Sequence, residues 1–527
     1  MVRIVFIISF IVIISTPLTM KLLNCDYALS RINENRHLSK LPDIRDYSLK
    51  EYPRAFDQYI NDSMPLRQVF MPAYISVWEN FLESPVSEYV TGKNRELFMN
   101  KAARTVDNAL GLHPWSDADR IRFKVSYAGK QAFYFSKGIK YYLVLIPDKS
   151  TVYQDLLPWY STLIGHEGWY SEQYKALKDA GIINFISLKE YFDQISDNVR
   201  LYDKKYDNCH WNGNALHLAY QKIASVIAAD YQFMSPVNYP EYYELYEKQV
   251  EQPAFGTEIT RFIRLKNRGN FECATAIPEH LKATRYNHFC TNSKVDTNSL
   301  WFFSDSYFGA THGSGGITPF VHNVHSYWHS HYNYDHKTKL PNYSAYINER
   351  LNFNRPDIVI EAFVERTKGD FAPYSDPLIR ILGDYWLKNE TVIDHTISRD
   401  SLKELDSSLE TDGNELILKS FSSDPKLVFK DYFTADADGR ITLSLCLNSG
   451  VAGISQLFYS PDGKFTEHNS LRKPVKKGDN LLHFELQLKP YEKVKLRFDP
   501  INKKGTFIIR EIPELKDLRM RLKDNGI

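Results

Sequence analysis

"WFFSDSYFGA", Trp301 to Ala310, sets three large apolar side chains directly before Ser-Asp-Ser and then returns to an aromatic pair. One reading is a loop that happens to carry serines. The other is a buried strand whose carboxyl end presents Ser306 to solvent, as a nucleophile would be presented. The neighbouring segments favour a strand. "KYYLVLIP", ending at Pro147, "IINFISL" from Ile182 and "RPDIVIEAFVE" from Arg355 are short apolar runs rich in β-branched and aromatic residues. Between them lie segments of helical spacing: "WYSEQYKALKDAG", stopped by Gly181, and "NALHLAYQKIASVIAADY", from Asn214. Strands that are apolar on both faces and alternate with helices predict an α/β fold with a parallel sheet covered on both sides.

Beyond about residue 400 the texture changes. "NELILKSFSSDPKLVFKDY", "GRITLSLCLNSG", "ISQLFYSPDGKFTE", "NLLHFELQL" and "KVKLRFDP" alternate with β-type period. Asp438-Gly439 and Pro461-Asp462-Gly463 mark turns between them. No helical period intervenes, so an all-β sandwich is expected, serving either to bind glycans or as a spacer.

The first residues, "MVRIVFIISFIVIISTPLTMK", combine a basic start with an apolar run from Ile4 to Ile14. This is signal-like, and shorter than a comfortable span of about 20 residues. No small-x-small cleavage site follows, so a signal-anchor is read, with a cleaved signal peptide as the alternative. Either form exports the chain. The divisions expected are a signal-anchor at 1–24, a juxtamembrane helical lead-in at 25–85, a catalytic α/β region at 86–395 and the sandwich at 405–515. Within the lead-in, helical spacing runs from about Pro65 to Leu82.

With 527 residues, two or three domains are expected. A net charge of +1 removes the electrostatic case for a nucleic-acid partner. Of five cysteines, Cys273 and Cys290 are the close pair, and a disulfide between them suits an exported chain. No spacing reads as a zinc site. His322, His325 and His329 recur without a carboxylate or thiol among them, so no metal and no cofactor are expected.

In open α/β sheets, chemistry gathers outside the carboxyl ends of the strands. Ser306 follows one strand, and Asp148 and Lys149 follow another. "YDNCHWNGN" places Asp207 and His210 at the entry to a helix. A serine nucleophile needs a base, and the base needs a carboxylate. These residues supply one of each.

The ordered set "IPDKSTVYQDLLP", "DNCHWN", "FFSDSYFG" and "NRPDIVIEAFVER" resembles alginate O-acetyltransferase proteins of the AlgX/AlgJ type, which are SGNH-hydrolase-like and DHHW-type. "NENRHLSKLPD", "YINDSMPLR" and "TGKNRELF" resemble the family's lead-in, and the similarity spans roughly residues 30 to 370. The resemblance implies Ser306 as nucleophile, His210 as general base and an orienting carboxylate. It implies acetyl transfer to hydroxyls of an exported polysaccharide in the periplasm, with a membrane-bound O-acyltransferase supplying acetyl and the N-terminal segment anchored in the inner membrane. The family usually has Asp two residues before the histidine, where this chain has Asn208. Asp207 lies one residue further back, in the D-x-x-H spacing of ordinary SGNH hydrolases, and is assigned the role, with Asn208 as rival. Ser304 stands where a glycine commonly precedes Asp-Ser. The oxyanion donor is expected from the backbone N–H of Ser306 or Tyr307. Two other readings use the same residues: a carbohydrate O-acetyl esterase, and a non-catalytic protein for glycan binding or export assembly.

Overall fold

A computed structural model describes residues 7–8, 10–12, 15–16, 19–20, 39–48, 50–63, 89–100, 104–163, 167–195, 199–207, 209–230, 243–252, 256–265, 271–274, 288–292, 299–311, 323–328, 343–353, 355–367, 372–387, 399–405, 407–413, 415–435 and 439–526. Most of the expected signal-anchor and the periodic stretch Pro65–Leu82 fall outside them. Among the described residues no helix is long and apolar enough to cross a membrane.

The elements run α1 (Tyr52–Ser63), β1 (Tyr89–Thr91), β2 (Leu97–Met99), α2 (Thr105–Ala109), α3 (Asp117–Ser136), β3 (Lys140–Ile146), α4 (Lys149–Val152), α5 (Trp169–Asp179), β4 (Asn184–Ser187), α6 (Leu188–Asp193) and α7 (Gly213–Asp230). Then come β5 (Tyr243–Gln252), β6 (Gly256–Leu265), β7 (Phe271–Ala274), β8 (His288–Asn292), β9 (Ser299–Ser304), β10 (Asn323–Trp328), α8 (Tyr343–Phe353), β11 (Ile358–Val364) and α9 (Pro377–Trp386).

A seven-stranded sheet has the order β4-β3-β11-β9-β10-β8-β7. The neighbours from β4 to β10 pair in parallel, while β8 and β7 add an antiparallel edge. Cys273 and Cys290 stand opposite each other in that edge register. Their side chains lie outside the described residues.

The alternation of a strand divides its side chains between two cores. Tyr141, Leu143, Leu145, Trp301, Phe303, Val359 and Phe363 face the layer built from α3, α5 and α9. Tyr142, Val144, Ile146, Leu300, Phe302, Ile360 and Val364 face α6 and α7. Trp301, Phe302 and Phe303 are completely buried, so the apolar start of the opening stretch lies at the centre of the sheet. α3 begins at a capping box in which Ser116 and Asp119 satisfy each other's backbone N–H, which fixes where the helix starts. α5 ends before Gly181, whose φ of +62° suits glycine and turns the chain into β4.

The last part of the chain forms two five-stranded antiparallel sheets. The strands are β12 (Leu402–Leu405), β13 (Ser407–Asp412), β14 (Glu415–Ser420), β15 (Lys426–Thr434), β16 (Arg440–Ser449), β17 (Gly453–Ser460), β18 (Ser470–Val475), β19 (Gly478–Gln487), β20 (Lys493–Asp499) and β21 (Thr506–Arg510). Their orders are β12-β15-β20-β17-β18 and β13-β14-β21-β16-β19. Leu427, Phe429, Leu457 and Phe498 of one sheet share a core with Leu418, Leu445, Phe484 and Phe507 of the other. Beyond these strands lies a helix that the sequence reading did not assign. α10 (Pro513–Asp524) follows β21 and returns to α3, burying Leu515 and Leu518 in the α3 core. Arg521 Nε donates to the Ser136 carbonyl at 2.9 Å. A polar helix with two buried leucines carries too weak a periodic signal to stand out after a run of strands.

Candidate active site

β9 ends at Ser304, and the next residues leave the sheet as a short 3₁₀ turn, Ser306–Thr311. Asp305 sets the corner. Its Oδ1 accepts from the Tyr307 N–H at 3.0 Å, and its Oδ2 accepts from the Val364 N–H at 2.7 Å, joining the carboxyl ends of β9 and β11. Asp305 and Tyr307 are buried, while Ser306 between them is exposed. A hydroxyl is thus held at the edge of the sheet by a rigid turn. The Tyr307 N–H, one of the two expected oxyanion donors, is committed to Asp305.

The entry loop of α7 brings the base. His210 Nε2 lies 2.9 Å from Ser306 Oγ, across 96 residues of chain. His210 Nδ1 lies 2.9 Å from Asp207 Oδ2. The other Asp207 oxygen accepts from the Cys209 N–H at 3.0 Å and the His210 N–H at 2.9 Å, closing an Asx turn that orients the carboxylate toward its own histidine. Asn208 lies outside the described residues. The thiol of Cys209 is 3.2 Å from His210 Nδ1.

The electrostatics follow from this geometry. Burial works to raise the Asp207 carboxyl, but the hydrogen bond and charge of His210 and two backbone N–H groups outweigh it and hold Asp207 well below the carboxylate range. Burial likewise works to lower His210, yet hydrogen bonding to Asp207 and Cys209 and the negative charge of Asp207 raise it above an ordinary imidazole. A basic imidazole against an ionised carboxylate is suited to taking a proton from Ser306.

Behind this row lies a buried layer. The Tyr307 hydroxyl reaches Asp148 Oδ1 at 2.7 Å and the Cys209 carbonyl at 2.6 Å, and it accepts from Arg366 Nη2. Arg366 pairs with Asp148 at 2.8 Å. Glu365 accepts the Asp148 N–H at 2.6 Å, and burial together with the Asp148 charge pushes its carboxyl well above the usual carboxylate range. The Trp211 indole donates to the Tyr307 carbonyl at 2.6 Å. Tyr307 therefore ties the nucleophile turn to the histidine loop and to two strand ends.

Asp148 and Lys149, singled out for their place after β3, are both buried in such contacts. Lys149 Nζ is 2.8 Å from Glu96 Oε1 and donates to the carbonyls of Leu97 and Asp203 at 2.7 and 2.6 Å. Neither is open to a substrate. Arg366 and Tyr307 went unassigned because nothing local marks them. "VER" and "SYF" become meaningful once β11 lies beside β9. Among the described residues, Asp207, Cys209 and His210 are the group whose ligand atoms lie near enough to hold an ion. Those atoms are already engaged with one another. His325 lies in β10 with its side chain outside the described residues, as His322 and His329 are entirely.

No protein-family model matches the sequence, and no curated protein matches it. Solved structures similar to the chain include PatB1 of Bacillus cereus, with a TM-score of 0.40 and 16% identity over 55% of this chain and 96% of that one. AlgX of Pseudomonas aeruginosa has a TM-score of 0.33 and 12% identity over 80% of this chain and 93% of that one. The O-acetyltransferase domain of Pseudomonas putida AlgJ has a TM-score of 0.35 and 13% identity over 56% of this chain and 99% of that one.

Proposed function

We propose that the protein is an SGNH-like O-acetyltransferase that moves acetyl groups onto hydroxyls of an exported polysaccharide. The observation that carries this reading is the continuous row of Ser306 Oγ, His210 Nε2, His210 Nδ1 and Asp207 Oδ2, with both contacts at 2.9 Å, at the carboxyl edge of a parallel sheet. The motif resemblance gives the row its acetyl chemistry and its acceptor.

His210 Nε2 takes the Ser306 proton as Oγ attacks the acetyl carbonyl carbon of the donor. The tetrahedral intermediate collapses, the donor oxygen leaves with the proton from His210, and acetyl-Ser306 remains. A sugar hydroxyl then attacks the acetyl carbon while its proton passes to His210. Collapse releases the acetylated sugar, and Ser306 regains its proton. Asp207 stays ionised throughout and stabilises the imidazolium formed in each half. In this reading the oxyanion donor is the Ser306 backbone N–H, since the Tyr307 N–H donates to Asp305.

In this reading, residues 86–395 form the catalytic region and residues 405–515 a β-sandwich that engages the polysaccharide. The N-terminal 1–24 anchors the chain in the inner membrane, and 25–85 leads from it. The catalytic region acts in the periplasm, where a membrane-bound O-acyltransferase supplies acetyl. The test is incubation with an acetyl donor and an oligosaccharide, with mass spectrometry of protein and product. Acetyl on Ser306 and on the oligosaccharide is expected. Free acetate without transfer would make the protein an esterase. Unchanged transfer by Ser306→Ala would remove the serine mechanism altogether.

A further inference from the structure

The loop that carries the base is gripped from both sides, and one grip comes from a hairpin with no place in the sheet. β5 and β6 form a separate two-stranded sheet with Leu245 and Ile259 exposed. From this hairpin, Glu258 reaches the backbone just before Asp207. Its Oε1 accepts from the Lys204 N–H at 2.6 Å, and its Oε2 accepts from Lys205 at 2.8 Å and Tyr206 at 3.0 Å. Three successive N–H groups aimed at one carboxylate form an anion nest, and charge-assisted bonds of this kind are the strong ones. The opposite side of the same strip is held by Lys149, whose Nζ donates to the Asp203 carbonyl at 2.6 Å and the Lys204 carbonyl at 3.1 Å.

Downstream of His210 the hairpin makes a second contact. A Cβ at Gly213 would stand 2.7 Å from the Arg261 carbonyl oxygen, so only glycine permits β6 to lie this close to the start of α7. The Phe262 ring packs edge-on against Tyr206 at 6.1 Å. The segment from Tyr206 to Gly213, which holds Asp207 and His210, is therefore pinned at both ends by β6.

We propose that Glu258 is a positioning residue for the His210 base, and that the β5–β6 hairpin is the brace that sets the distance from His210 to Ser306. Without its carboxylate, three backbone donors lose their acceptor and the Asx turn at Asp207 loses its fixed approach. A displacement of about 1 Å at a catalytic group costs on the order of 10²-fold in rate.

The inference rests on the reading of His210 as base, and the experiment separates the two. Acetyl-ester hydrolysis by the full chain is measured for wild type, Glu258→Ala and the isosteric Glu258→Gln, with Glu251→Ala, exposed on the same hairpin, as control. The expected result is a kcat about 10²-fold lower in Glu258→Ala with KM within about twofold, partial recovery in Glu258→Gln and no change in Glu251→Ala. The low-field proton resonance of His210 Nδ1–H is recorded in the same proteins. It is expected in wild type and in Glu251→Ala, weakened in Glu258→Gln and lost in folded Glu258→Ala. A wild-type kcat in folded Glu258→Ala or Glu258→Gln, with the resonance intact, overturns the proposal. A wild-type chain without esterase activity defeats the functional reading instead, and the resonance alone then decides whether Glu258 positions His210.

Discussion

The α/β region and the C-terminal pair of sheets use their interiors differently. Under the seven-stranded sheet and at its carboxyl edge, charges are buried and matched. Lys130 pairs with Glu361 at 2.5 Å, Lys149 with Glu96 at 2.8 Å and Arg366 with Asp148 at 2.8 Å. Between the two C-terminal sheets the core is built mainly of leucine, isoleucine, valine and phenylalanine. Charge pairs there lie largely at the surface, as with Lys419 and Glu410, while Arg497 and Asp499 on β20 form a mostly buried exception. Burying a charge costs several kcal/mol even when it is paired, and an apolar core of equal volume is often more stable. The α/β region therefore carries more of these stability costs than the sandwich region. What it gains is geometry: each pair near the edge fixes a backbone strip that bears on Ser306, His210 or Asp207.

The largest effect follows from removing chemistry without removing structure. Asp207→Asn should lower kcat by about 10⁴-fold with little change in melting temperature, because the side chains of Asp207 and His210 are about one third exposed. A loss of thermal stability as large as that of a core mutation would break the contrast between the regions. In the C-terminal core the effect should reverse. Phe484→Ala is expected to cost about 3–5 kcal/mol in chemical unfolding while acetyl-ester turnover of the folded fraction is unchanged. Reduced turnover at full folding would show that the sheets reach into the site.

Lys130→Met leaves Glu361 buried without its cation and should cost about 3–5 kcal/mol, whereas Lys130→Met with Glu361→Leu should recover most of it. Failure of the double substitution to recover would mean the pair does more than satisfy itself. Tyr141, whose hydroxyl donates to Glu361 at 2.7 Å, is the residue to examine next.

A smaller effect concerns pH. Catalysis needs neutral His210, and the Asp207 contact raises its proton affinity, so activity should rise with pH through a point above the ordinary value near 6.5. Below that point kcat should fall about tenfold per pH unit, that is about 1.4 kcal/mol. In Asp207→Asn the residual activity should have its acidic limb displaced to lower pH. A limb that stays in place would assign the titration to another group. The smallest effect belongs to the sandwich surface, where Lys419→Ala should change stability by about 0.5 kcal/mol. A change several times larger would place the pair within a cooperative network.

Much of the fold was legible because its signals are local. β3, β4, β9 and β11 appear as apolar runs, and α5 and α7 as apolar spacings of three and four with Gly181 after the first. The C-terminal strands show period two and glycine-containing turns. α10 was not legible, since its buried leucines do not form a stripe distinct from its charged surroundings. Nor was the β5–β6 hairpin, whose charged sequence resembles a solvated segment until Glu258 is seen turned onto the backbone of 204–206. The site was legible in halves. The spacing of Asp207 and His210 is a property of one turn, and Ser306 stands at the end of a recognisable strand.

The sequence by itself determined which segments are buried, with what period, and that a carboxylate and an imidazole share a loop, because backbone sterics and side-chain alternation act over a few residues. Tertiary structure decided that β11 enters between β3 and β9, that Arg366 and Tyr307 stand behind the nucleophile, and that His210 reaches Ser306 across 96 residues. Those contacts require loops of the chain to close and a whole sheet to pack, and no short stretch of residues encodes either alone.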